Sequence, residues 1–203
     1  MRTSSNNIRT NNLLSSATGG PEDMLARFKR LFGYVRVGDD LTRHDFDMGR
    51  VLSGRVFKVV DSDNFRVSLS RFSAETLHVR VCGVDAPEAP HFGNPGQPFA
   101  EEAKQFLTAL VDGKHVRVRV LSRDQYGRIV GDVFVGRRNV SLEMARNGWA
   151  VVYEGKGALY GDCGKEVFDR YVAIAKSKKL GMWVQKNFES PREYKKKIRE
   201  GAS

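Results

Sequence analysis

Three runs of alternating apolar and polar residues follow one another in the first half of the chain. They are "GRVFKVV" (54–60), "FRVSLS" (65–70) and "TLHVRVCGV" (76–84), and the short turn "DSDN" separates the first two. Alternation with a period of two is typical of strands that bury one face. Because strands joined by short connections pair antiparallel, the pattern predicts a three-stranded meander.

The residues after this meander predict a helix, two strands and two further helices. Apolar residues recur at helical spacing from Phe99 to Leu110, and Asp112-Gly113 ends the pattern. "KHVRVRVL" (114–121) and "IVGDVFV" (129–135) alternate again, while 139–148 and 163–180 have helical patterns. Five strands that close on themselves favour an α+β fold: a five-stranded OB-type β-barrel with about three packed helices and terminal extensions.

Composition divides the 203 residues into four parts. Residues 1–20 contain no acidic residue and are predicted to be disordered or a weak organellar targeting segment. Residues 21–49 comprise an amphipathic helix and a linker; the helix, 21–32, docks on the domain or lies on a membrane surface. The domain covers 50–184, and 185–203 form a basic tail or a solvated helix. No run reaches the roughly 20 apolar residues that span a bilayer, so no transmembrane segment is predicted.

The formal net charge is +10. Lys and Arg side chains that neutralise phosphates gain affinity by releasing counterions, so this charge favours a polyanionic partner, although basic tails alone can produce it. Cys82 and Cys163 are too few for a disulfide framework and lack His or Cys at zinc spacing. We interpret them as free thiols in a reducing compartment.

Two aspartates stand at the ends of predicted strands. Asp63 follows the first strand and Asp85 ends the third, so adjacent strands bring both carboxylates to one end of a barrel. Such an oxygen site suits Ca²⁺, which accepts carboxylates, carbonyls and water in flexible geometry. An EF-hand is excluded, because Phe65 and Arg66 stand where a ligand and a glycine are required. The alternative for Asp63 is an ordinary acidic turn.

Three further charged residues are each open to two interpretations. Arg80 projects from the strand face opposite the valines, and Arg128 closes the turn "DQYGR". Both arginines are surface charges or ion-pair partners, or they hold a phosphate bidentately, which lysine cannot do. Glu88 lies between Pro87 and Pro90, where it is either a rigidly placed functional group or an incidental loop carboxylate.

The ordered set "VVDSDN", "VRVCGVDAPE", "DQYGR" and "NGWAVVY" resembles the staphylococcal (thermonuclease-like) nuclease family over roughly residues 50–183. "RVCGVDAPEAPHFGNPGQPF", "SRDQYGR" and the terminal "ESPREYK" are similar to the fungal branch of probable mitochondrial endonucleases. Members of that branch carry a membrane-spanning helix ahead of the domain, and we expect none in this sequence.

The resemblance implies a calcium-dependent endonuclease that hydrolyses phosphodiester bonds of DNA, RNA or both with little sequence specificity. Its products end in 3′-phosphate and 5′-hydroxyl. Asp63, Asp85 and the backbone carbonyl of Ala86 are the implied Ca²⁺ ligands. Ala86 stands where the bacterial enzyme has threonine, so the carbonyl remains and the hydroxyl is lost.

The resemblance also implies roles for other residues. Arg80 and Arg128 hold the scissile phosphate and stabilise transition-state charge, and Glu88 is the general base on the attacking water. Tyr126 and Tyr153 are assigned to substrate binding, with packing in the rim as the alternative for Tyr153.

Two other functions remain open. A catalytically silent OB-fold module would bind single strands through stacking and basic grooves, and an anchoring protein would use the helix at 21–32. The presence of every family carboxylate and arginine favours the enzyme. We expect an intracellular monomer, in the mitochondrion if 1–20 is a presequence, with DNA or RNA as partner and peripheral membrane contact through 21–32 as a further interpretation.

Overall fold

The computed structural model describes residues 48–69, 76–90 and 93–201; the predictions for 1–20 and 21–32 lie outside these ranges. The described strands are β1 (Val51–Asp61), β2 (Asn64–Ser68), β3 (Thr76–Val81), β4 (Val84–Asp85), β5 (His115–Arg123), β6 (Ile129–Val135), β7 (Arg138–Asn139) and β8 (Val151–Val152). The helices are α1 (Ala100–Val111), α2 (Val140–Arg146), α3 (Lys165–Ser177) and α4 (Pro191–Gly201), with 3₁₀ turns at Gly161–Cys163 and Gly181–Val184. Within these ranges no helix is long and apolar enough to cross a membrane.

Five of the strands close into a barrel. β1 pairs antiparallel with β2 and β5, β2 with β3, and β5 with β6. A parallel pairing between β3 and β6 closes the ring, and β7 extends β6. The predicted meander and the OB-type α+β fold are therefore confirmed. The helix beyond the predicted three is α4, formed by the C-terminal segment.

The barrel interior is apolar because alternate residues of each strand point inward. Helix α1 adds Ala103, Leu107 and Val111, spaced by one helical turn, to the same core. Phe168 of α3 is also fully buried. The fully buried strand residues of this core include Val56, Phe65, Val67, Leu77, Val79, Val81, Val116, Val118, Val120 and Val133.

The third strand is shorter than its alternation predicts. Residues 76–84 read as one strand, but β3 ends at Val81 and the chain turns at Gly83, whose φ is +73°. Glycine adopts this left-handed conformation without steric cost. The next two residues form β4, in which Asp85 pairs with Val151 of β8. The prediction that Asp85 ends the third strand is thus wrong, and the turn gives this carboxylate a strand of its own.

Replacing Gly83 by alanine is expected to lower the free energy of unfolding by at least about 2 kcal/mol, because backbone strain and overpacking add together. The new Cβ would lie 2.8 Å from Cζ of Phe168. Gly157 is a matched control, since its φ is +76° and its Cβ would have no atom within 4 Å. Gly157→Ala should therefore cost only about 1 kcal/mol in urea unfolding. Equal losses for the two variants would contradict the packing argument.

Candidate active site

Three carboxylates and one guanidinium meet at one rim of the barrel. Asp63 lies in the turn between β1 and β2, Arg80 near the end of β3, and Asp85 in β4. The strand register brings them together, because Asn64 pairs with Arg80 and the Val81 amide donates to the Asp63 carbonyl at 3.0 Å. Glu88 joins the group from the loop after β4.

Arg80 lies between the two aspartates. Its Nη2 is 3.0 Å from Oδ2 of Asp63 and 3.2 Å from Oδ1 of Asp85. The three side chains are 11%, 13% and 4% exposed, so Arg80 is a buried ion-pair partner and not a surface charge. Burial tends to raise the pKa of Asp63. The charge of Arg80, a hydrogen bond from Asn64 and the nearby charges of Arg128 and Lys195 outweigh this effect and hold the pKa below its ordinary value. Asp63 is therefore held as an anion.

A lysine from the C-terminal helix joins the same cluster. The Nζ atom of Lys195 in α4 lies 2.9 and 3.2 Å from the two carboxylate oxygens of Asp85, and 2.8 Å from Oε1 of Glu88. Burial raises the pKa of Asp85 and of Glu88, and the lysine only partly offsets this effect. The rim thus holds three carboxylates and two basic groups in direct contact.

Hydrogen bonds hold the Glu88 loop in place from both sides. Ser62 Oγ donates to the Pro87 carbonyl at 2.8 Å and ties the loop to the turn that carries Asp63. The Glu88 amide donates to Oε1 of Gln97 at 3.1 Å, and the Gln97 amide donates to the Glu88 carbonyl at 2.8 Å. The rigidity expected from the two prolines is therefore reinforced by side chains distant in sequence.

Arg128 is positioned by the turn that contains it. Its Nε donates to Oδ2 of Asp124 at 2.7 Å, and the other oxygen of this carboxylate accepts the amides of Tyr126 and Arg128, each at 2.9 Å. The guanidinium lies 5.5 Å from the centre of the Tyr126 ring. Arg128 also contributes to the lowered pKa of Asp63, so its charge acts on the rim.

The two tyrosines line the same groove as these charges. The Arg80 guanidinium lies 5.0 Å from the centre of the Tyr153 ring, a cation–π geometry. The Tyr153 amide donates to the Gly83 carbonyl at 3.0 Å, so this residue also supports the turn before Asp85. Tyr126 is 70% exposed and is therefore accessible to a ligand.

The groove is large and carries charges of both signs. Its volume is about 1930 Å³, and nine Lys or Arg residues line it together with seven Asp or Glu residues. The basic residues are Arg80, Lys104, Arg123, Arg128, Lys156, Lys176, Arg192, Lys195 and Arg199, and the acidic ones are Asp61, Asp63, Asp85, Glu88, Asp124, Glu154 and Asp169. A groove with a positive excess suits a polyanion.

The structure brings the predicted site residues into one region. Asp63, Arg80, Asp85 and Glu88 belong to one chain of contacts, and Arg128, Tyr126 and Tyr153 line the groove beside them. Ala86 is buried directly after Asp85. Among the described residues, no group of three or more His, Cys, Asp or Glu side chains is arranged to hold a metal ion.

Three residues of this region, Asp124, Lys195 and Gln97, were not predicted from the sequence. Asp124 was detectable, since an aspartate opening a turn commonly accepts amides two residues on. "SPRE" (190–193) signals the start of α4, with Ser190 and Glu193 capping each other's amides, but it says nothing about where Lys195 docks. No local pattern marks Gln97.

The sequence also matches known proteins. Residues 78–185 match the family model described as staphylococcal nuclease homologue. The chain is 39% identical to a protein of Yarrowia lipolytica named probable endonuclease LCL3, over 95% of this chain and 96% of that protein.

Relatives with the same name occur in other yeasts. The protein of Komagataella phaffii is 43% identical, over 85% of this chain and 77% of its own length. The protein of Saccharomyces cerevisiae is 40% identical over 80% of this chain, which spans 64% of that relative. With the family model covering more than half of its length, this chain belongs to the staphylococcal nuclease homologue family.

Proposed function

We propose that this protein is an endonuclease that hydrolyses phosphodiester bonds of DNA, RNA or both, with little sequence specificity and with Ca²⁺ as cofactor. The observation that carries the proposal is the contact chain Asp63–Arg80–Asp85 at the rim of a positively lined groove, with Glu88 beside it. Family membership and the names of the fungal relatives support the same reaction class.

The chemistry of the rim fits a hard divalent cation. Its donors are carboxylate oxygens and the adjacent backbone, which are the ligands that Ca²⁺ accepts. A positively charged group, the Lys195 ammonium, already lies between Asp85 and Glu88. Asp63, Asp85 and the Ala86 carbonyl would hold the ion, with water completing its coordination. When bound, Ca²⁺ would supply positive charge beside the phosphate and polarise its oxygen.

The two arginines would fix the phosphate and stabilise the charge that develops on it. Arg80 is oriented by two aspartates and by the Tyr153 ring, and Arg128 is oriented by Asp124. The N–H donors of a guanidinium held in this way are already oriented when the phosphate binds. They therefore need not reorient during the reaction, which is the basis of electrostatic catalysis. The phosphate group is the same in every nucleotide, so contacts to it do not distinguish one base from another. Low sequence specificity is therefore expected.

Glu88 would act as the general base. Its carboxylate would take a proton from water as the water oxygen forms a bond to phosphorus. The bond from phosphorus to the 5′ oxygen would break, and this oxygen would take up a proton from solvent water, leaving 3′-phosphate and 5′-hydroxyl ends. The loop that carries Glu88 is held by Ser62 and Gln97, which supplies the fixed placement that in-line attack requires.

Cleavage is expected to require a divalent cation and to be faster with Ca²⁺ than with Mg²⁺, because oxygen ligands on loops suit flexible coordination better than octahedral coordination. The measurement is cleavage of defined DNA and RNA oligonucleotides across a series of divalent ions. Full activity in excess EGTA and EDTA would contradict the metal assignment.

Glu88→Gln is expected to lower single-turnover cleavage by roughly 10²-fold or more, since a positioned base contributes in this range. Binding of the same oligonucleotide should persist, because the arginines and the cation supply most of the phosphate attraction. Glu102→Gln is the matched control, as this exposed glutamate of α1 does not line the groove.

The comparison of cleavage with binding also tests the alternative functions of this site. If Glu88→Gln cleaves in proportion to a weakened binding, Glu88 orders the loop and is not the base. If the unsubstituted protein binds single strands and cleaves none with any divalent ion, the domain is a silent binding module and the proposed reaction is wrong.

A further inference from the structure

The C-terminal helix contributes a residue to the site although it lies beyond the family domain. The family match ends at residue 185, and α4 runs from Pro191 to Gly201. Of its basic residues, Lys195 makes ion pairs with both Asp85 and Glu88. Neighbouring Lys196 instead pairs with Glu200 on the same helix and is 69% exposed.

We infer that Lys195 is an internal cation that competes with the divalent metal for Asp85 and at the same time covers Glu88, so that α4 regulates loading of the site. This inference rests on the metal site of the proposed function. In this proposal, Lys195 pairs with both carboxylates before the metal binds and releases them when the metal binds.

The distances support direct competition. The Lys195 nitrogen lies 2.9 and 3.2 Å from the two oxygens of Asp85, so it sits in front of the carboxylate and contacts both of them. A divalent cation held by this carboxylate would need the oxygen atoms that the ammonium group contacts. The two cations would overlap and repel each other, so both cannot occupy this position.

The lysine also occupies the proposed base. Its nitrogen is 2.8 Å from Oε1 of Glu88, so the ammonium group covers an oxygen that the attacking water would need to reach. Displacement of Lys195 would therefore release the metal ligand and the base together. In this way metal binding would switch on both parts of the site.

The docking of α4 is specific and does not depend on this lysine alone. The Gly96 amide donates to the Tyr194 hydroxyl at 3.0 Å, and Nε2 of Gln97 donates to the Glu189 carbonyl at 3.0 Å. Ser190 and Glu193 cap the helix start, and Pro191 is buried. These contacts fix the helix against the Glu88 loop, so the Lys195 side chain can leave the carboxylates while the helix stays docked.

The test measures Ca²⁺ binding to the full chain by isothermal titration calorimetry, without nucleic acid. If the lysine is seated about nine-tenths of the time, Lys195→Gln should bind Ca²⁺ about tenfold more tightly than the unsubstituted protein. Lys196→Gln removes the same charge one residue away and should leave the affinity unchanged. Equal affinities for all three proteins would overturn the inference and leave the metal site intact, and equal tightening in both variants would overturn it by showing a general effect of net charge.

A second measurement uses the unsubstituted protein and is independent of the variant's folding. The side-chain ammonium resonance of Lys195, followed by ¹H–¹⁵N NMR, should shift from its ion-paired position as Ca²⁺ is added. An unshifted resonance at saturating Ca²⁺ would overturn the displacement. If neither the unsubstituted protein nor Lys195→Gln binds Ca²⁺, the metal site and the inference both fail.

Discussion

The rim of the barrel depends on the buried guanidinium of Arg80. It contacts two carboxylates that are almost entirely removed from water, and these would otherwise repel each other. Removing one partner of a buried ion pair typically costs about 3–5 kcal/mol, because the remaining charge is neither solvated nor paired. Arginine suits this position because its planar group presents several donors in a fixed arrangement and stays charged when buried.

The barrel provides the framework, and contacts between loops set the positions of the charged groups at its rim. The turn after β1, the loop after β4 and the β5–β6 turn come from different strands, yet all of them line one groove. Ser62 joins the first two, and Asp124 organises the third. A rigid β-scaffold with braced loops is a common solution for sites that need fixed charges, because loops alone lose placement through their own flexibility.

Helix α4 extends this arrangement beyond the part of the chain that matches the family model. Lys195 of this helix brings a positive charge to a cluster of carboxylates that already pairs with Arg80. Burial lowers the pKa of Lys195, but Asp85 and Glu88 outweigh this and raise it, so the group is held as a cation. The site therefore contains its own counter-charge, and the electrostatics of the rim depend on where the C-terminal helix lies.

The sequence by itself determined the barrel and the identity of the charged residues at its rim. Alternation reports which face of a strand is buried, so β1, β2, β5 and β6 were predictable within a few residues, and ordered motifs identified Asp63, Arg80, Asp85, Glu88 and Arg128. Only the tertiary structure decided the turn at Gly83, where packing against Phe168 and pairing with β8 override an unbroken strand pattern. The tertiary structure also brings Lys195 into contact with Asp85, although the two residues are 110 positions apart in sequence. Local patterns reflect burial and helix caps, whereas the partner of a charged side chain is set by how distant elements dock, which depends on packing across the whole domain.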